Sequence, residues 1–303
     1  MLAGRQKYRT ILYLGILTIK KSMKITSLPL LALFINTGWC NMPAEIKING
    51  GSYYVGGIFG NKDFASHANT SLSPFYMTTT EIDYNRYMQV YSQAKPLGYS
   101  VNPGCNGGDV DDCLPPETDH GRHPVTTVSW WDAIIFANAL SVMNHLTPNY
   151  LWADGRPINA APADNNRDIR RDADATGFRL PTLNEWQVAA RGGEIGLKHG
   201  SYGQRFSGSN AAETVANMPT EKTTEFHTQP VGSRRANPLG LYDLTGNVSE
   251  WLDDDVHMPG LNNMHYFCGG SYLMKVNNVS ECDVHTPNFP TSDIGFRLVR
   301  PLR

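Results

Sequence analysis

From Gly193 to Arg303 the apolar residues never keep a period of three to four long enough to build a helix. The apolar runs there are short. Gly, Pro and Asn break them, and these residues turn the backbone. A helical bundle is thereby excluded. The pattern predicts short strands joined by long irregular loops.

Helices are expected only earlier in the chain. In Glu81–Tyr91 the residues Ile82, Tyr84, Tyr87, Met88 and Tyr91 recur three to four apart and share one helix face. Ser129 opens a second helix, with Asp132 placed to favour its N-terminus and Trp130, Ala133, Ile134, Ala137 and Leu140 as the buried stripe. Thr182 opens a third, with a capping box from Thr182 to Glu185 behind the stop at Pro181. Residues 46–55 alternate and read as a strand with a turn at Gly50-Gly51. The polar stretch Asp154–Thr176 reads as a surface loop.

The net charge is −2, so no basic surplus exists to neutralise a phosphate backbone, and nucleic acid is not an expected partner. Two apolar runs precede residue 40, and neither reaches the roughly 20 residues of a membrane span. From Met23, a basic Lys24, the apolar run Leu28–Ile35 and a polar stretch have the layout of a secretory signal peptide. Residues 1–40 are therefore expected to be that signal, with the true start at Met23 and cleavage after Cys40 or near Ala44. An uncleaved anchor is the alternative. One domain, 44–303, follows, in the periplasm or secreted. It keeps four cysteines, which suits disulfides in an exported chain. Nearness in sequence pairs Cys105 with Cys113 and Cys268 with Cys282, one of three possible pairings. No CxxC spacing supports a zinc site instead.

Five segments in order resemble one family: PFYMTTTEIDYNRY (74–87), HPVTTVSWWDAIIFAN (123–138), FRLPTLNEWQVAARGG (178–193), NPLGLYDLTGNVSEW (237–251) and GGSY…IGFRLVR (269–300). They are similar to the formylglycine-generating enzymes, the sulfatase-modifying factors. The resemblance covers nearly the whole mature chain. It implies an α+β, C-type-lectin-like FGE-sulfatase fold with few helices, twisted antiparallel strands and long irregular loops.

The resemblance also implies a copper oxidase that uses two cysteines after GGSY, the first two residues past the aromatic and the second five further on. Here those positions are Met274 and Val279. One thioether cannot replace two thiolates as a Cu(I) site, so copper is not expected and no catalytic residue is assigned. Structural calcium is implied at the GNxxEW turn, through Asn247, Val248 and Glu250, with Asn217 at a second site. His257, His265, Tyr272 and His285 surround the expected pocket, and the histidines could hold a redox metal. Two readings follow. In the first, the chain is an exported binding or accessory protein. Its lectin-like pocket, over Leu273–Asp293, meets an unidentified protein, peptide or small molecule. In the second, it is a periplasmic metal-dependent oxidase or maturation enzyme of altered chemistry.

Overall fold

A computed structural model describes residues 41–56, 68–108, 112–163, 168–221, 226–261 and 263–302; the expected signal peptide, 1–40, lies outside them. Strands β1 (Glu45–Ile48), β2 (Gly51–Val55), β3 (Ala68–Leu72) and β4 (Phe75–Thr78) open the domain. β1 pairs with β4 and β2 with β3, both antiparallel, so the expected 46–55 strand is two strands with different partners. Gly50 permits the parting, because a Cβ there would lie 2.6 Å from the Leu72 carbonyl oxygen.

Helix α1 (Tyr84–Ala94) starts later than its periodicity suggests. Asp83 is extended and caps it, accepting the Arg86 N–H at 2.7 Å, which leaves Glu81 and Ile82 outside the helix. After β5 (Cys105–Asn106) and β6 (Val125–Thr126) comes α2 (Trp130–Met143), opened by Ser129 as expected, with Asp132 completing a capping box. The predicted stripe of α2 is buried, and so are nearly all its other side chains. Its sequence is apolar all round, as suits a central helix. Asp132 also holds the loop before β5, accepting the Asn102 N–H at 2.8 Å.

Strands β7 (Tyr150–Trp152) and β8 (Ile169–Arg171) pair antiparallel, so part of the expected Asp154–Thr176 loop is a strand. IRR carries no alternation to reveal it. Helix α3 (Leu183–Ala190) begins at the predicted Thr182 box, and Arg179 clamps the boxing Glu185 with two bonds of 2.6 Å. A short helix, α4 (Gly193–Lys198), follows and corrects the expectation of none beyond Gly193. It is too short for a period to register, and Gly192 enters it at φ 89°.

The rest is strand and loop: β9 (Ser249–Asp255), β10 (His265–Cys268), β11 (Cys282–His285), β12 (Ile294–Gly295) and β13 (Val299–Pro301). One sheet runs β11-β10-β9-β12, with β12 parallel to β9 and the others antiparallel. A second, β1-β4-β13, joins the start of the domain to its end. The indole of Trp130 donates to the Leu252 carbonyl at 2.8 Å and that of Trp251 to the Val128 carbonyl at 3.1 Å, locking α2 to β9 in both directions. The architecture is α+β, as expected. Among the described residues no helix is long and apolar enough to cross a membrane.

Candidate functional site

The segment that follows β10 is built by its bonds. Gly269 and Gly270 lie at φ 102° and 72°, where a side chain would be strained. A Cβ on Gly269 would press on the Trp186 ring at 3.1 Å. Ser271 then turns the chain: its hydroxyl accepts the Leu273 and Met274 N–H groups and donates to Asp293 Oδ2 at 2.7 Å. The Tyr272 hydroxyl donates to the Ser292 carbonyl at 3.3 Å, and the Trp131 indole holds Asn288 at 2.8 Å. The loops 271–274 and 286–293 are thus bonded to each other and to α2. Each carries one exposed apolar residue, Leu273 at 48 % and Phe289 at 65 %.

Met274 and Val279, where the resemblance expects cysteines, lie in this segment. Met274 is partly buried against the core that holds Trp251 and Phe267. Val279 is 2 % exposed, packed with Cys268, Cys282 and Leu244, and its N–H donates to the Arg205 carbonyl. Neither offers a thiol. Cys105 pairs with Cys113 and Cys268 with Cys282, as nearness in sequence predicted, so every described cysteine is in a disulfide. The second bridge joins facing residues of β10 and β11 and closes the base of the Gly269–Glu281 segment.

His265 and His285 face each other on β10 and β11. His265 is buried and stacks on Trp130 with ring centroids 3.7 Å apart. Its Nε2 faces Asp255 at 3.4 Å. His285 is its cross-strand neighbour and sits against Trp251 and Phe289, 6.2 and 6.0 Å between centroids. His257 is exposed beyond the end of β9. Among the described residues no group of three or more His, Cys, Asp or Glu is placed to hold a metal ion. Tyr272 lies on a cavity of about 280 Å³, with Asn217, Glu213, His227 and Arg234.

The residues named for calcium form a turn with protein partners. Asn247, at φ 66°, accepts the Gln229 N–H at 2.8 Å and the Asn217 amide at 3.4 Å, and donates to Glu81 at 2.7 Å. Val248 donates its N–H to Glu81. Both Glu250 oxygens accept from Arg297, and one also accepts the Trp186 indole at 2.7 Å. Every side-chain oxygen of Asn247 and Glu250 therefore already accepts at least one N–H. Glu250 is paired with Arg297.

Sequence reasoning missed the acids around this turn. Burial holds the Glu81 carboxyl well above the ordinary range, and the Asp243 and Glu250 carboxylates beside it push the same way. Asp243 is pushed up to about 6 by burial, against the pull of the Gly232 N–H it accepts at 2.6 Å. Glu81 precedes the α1 cap, within the first family segment but without a role read from it; only the tertiary approach of the 246–250 turn brings it to Asn247.

The chain matches the sulfatase-modifying factor enzyme 1-like domain over residues 35–302. The crystal structure of CarF is 51 % identical and superposes with a TM-score of 0.80, over 86 % of this chain and 99 % of CarF. The chaperone protein LppX of Paenibacillus barcinonensis is 31 % identical over 277 residues, 84 % of this chain and 88 % of LppX. The inactive C-alpha-formylglycine-generating enzyme 2 of Mus musculus is 25 % identical over 298 residues, 87 % of each chain.

Proposed function

Given that the chain belongs to the formylglycine-generating-enzyme (sulfatase-modifying-factor) family, we propose that it is an exported, non-catalytic member that binds a partner polypeptide. The replacement of both catalytic cysteines carries this reading. Met274 and Val279 cannot hold Cu(I) between two thiolates, and the described cysteines are all in disulfides. What remains is a clamped pair of loops that present Leu273 and Phe289. Exposed apolar side chains on a bonded frame suit a protein surface, where a few anchors carry most of the binding. A relative named as a chaperone protein and another named as inactive support a role in assisting other proteins. Two disulfides support an oxidising compartment outside the cytoplasm.

The test is photocrosslinking in the exporting host, with a photoreactive residue placed at Leu273, at Phe289 or at Leu197 on α4, which is as exposed as Leu273. Discrete protein adducts from the first two sites and none from the third are expected. The same adducts from all three, or none from any, would refute a partner surface on these loops. Stoichiometric retention of copper by the purified protein would refute the non-catalytic reading.

A further inference from the structure

A cavity of about 460 Å³ lies where α1 ends and shares no wall residue with the Leu273 and Phe289 loops. Tyr91, Ser92 and Lys95 line it from the helix end, and Tyr99, Ser100 and Val101 line it from the loop that returns. Tyr91 and Lys95 are four apart, so they share one face of that helix end. The returning loop is fixed by its bonds. Tyr99 donates its N–H to the Ala94 carbonyl at 3.0 Å, and Ser100 donates its own to the Asn159 carbonyl at 2.7 Å. The Asn159 amide donates to the Gly98 carbonyl at 2.8 Å. The Tyr99 side chain, 7 % exposed, packs into the core built around α2.

The polar groups on this cavity are donors that the protein leaves unused. Tyr87 and Tyr150, in the same core, bond their hydroxyls to the Asn102 carbonyl at 2.6 Å and the Leu180 N–H at 2.9 Å. The Tyr99 hydroxyl has no hydrogen-bond partner among the described residues, and it is not sealed from solvent. Lys95 is exposed, no carboxylate lines the cavity, and among the described residues no ion pair holds its ammonium. The Ala94 and Lys95 carbonyls that end α1 accept the N–H groups of Tyr99 and Gly98 instead. Around these donors the wall is apolar, made of the two tyrosine rings and Val101. A cleft of this size, with aromatic walls and few polar groups, suits a small organic ligand. A carboxylate accepts hydrogen bonds without donating any and supplies the charge that Lys95 lacks.

We propose that this cavity binds an organic carboxylate with an aromatic body, its charge met by Lys95 and the Tyr99 hydroxyl and its ring packed against the tyrosines and Val101. The carboxylate can belong to a free acid or to the C-terminal residue of a polypeptide, since both present the same head beside a ring. The site is independent of the surface at Leu273 and Phe289.

Calorimetric titration of the whole mature protein, carried to millimolar ligand, tests it with three compounds: hydrocinnamate, its neutral amide, and acetyl-Gly-Phe with a free C-terminus. Saturable binding of hydrocinnamate and none of the amide is expected. If acetyl-Gly-Phe also binds, the site admits a chain terminus; if only hydrocinnamate binds, it is restricted to free acids. Lys95→Met keeps an apolar stem and removes the charge, and should weaken binding about tenfold or more. Tyr99→Phe keeps the ring in the core and removes only the hydroxyl. It should weaken binding about threefold or more and leave the unfolding midpoint in place. Equal binding of the amide, no binding of either acid, or unchanged affinity in either variant overturns the proposal.

Discussion

Arg297 meets Glu250 through two parallel bonds, Nε to Oε2 at 2.7 Å and Nη2 to Oε1 at 2.8 Å, with both side chains fully buried. The same guanidinium donates to the carbonyls of Thr78 and Tyr242, and the Trp186 indole completes the carboxylate. One ion pair thus ties the last motif of the chain to β4, to β9 and to α3. Bidentate geometry and satisfied neighbours are what make a buried pair tolerable.

Removing the cation alone should be costly, because the carboxylate stays behind in the core. Arg297→Met is expected to lose about 3–5 kcal/mol of unfolding free energy, read from urea denaturation. Arg297→Met combined with Glu250→Gln should lose clearly less than the two single losses together, since the stranded charge is gone. Additive losses would mean that the two side chains do not act as a pair.

Asp243 sets a pH dependence of definite sign. Its carboxyl, ordinarily near 3.8, is pushed up to about 6 by burial, so the folded state prefers the protonated form. That contribution is complete below pH 3.8 and is lost as pH rises through about 6. At 1.36 kcal/mol per pKa unit the loss is about 3 kcal/mol. Asp243→Asn keeps an oxygen for the Gly232 N–H and removes the titration. The stability of the variant relative to the unsubstituted protein should improve by about that amount between roughly pH 4 and pH 7. A difference that stays flat over this range would show that burial does not govern the group.

The Cys268–Cys282 bridge closes a sequence separation of 14. Chain entropy assigns a loop of that length about 3 kcal/mol. Replacing both cysteines by alanine should lower unfolding free energy by about that much and expose the Gly269–Glu281 segment to limited proteolysis. Proteolysis at the unsubstituted rate would count against the bridge as the clamp of this segment.

The local elements were legible because their causes are local. Ser129 with Asp132 and Thr182 with Glu185 cap their helices through residues three apart, and both helices start where they were read. Periodicity failed where the element was short or held by partners from elsewhere. α4 spans six residues, and β8 is ordered by β7. Pairing of neighbouring cysteines was readable because facing positions on β10 and β11 are joined by a short connection.

The sequence by itself determined the family, the α+β class, the capped helices and the loss of the thiolate pair. Each of these rests on residue identity or on chemistry within a few positions. Tertiary structure decided who meets whom. It sent Glu250 to Arg297, 47 residues away. It set His265 and His285 opposite each other on β10 and β11, with His265 buried against Trp130, and left His257 exposed past the end of β9. Such meetings depend on how β9 packs against α2, α3 and the β7–β8 pair, and no local pattern encodes a contact between segments that distant.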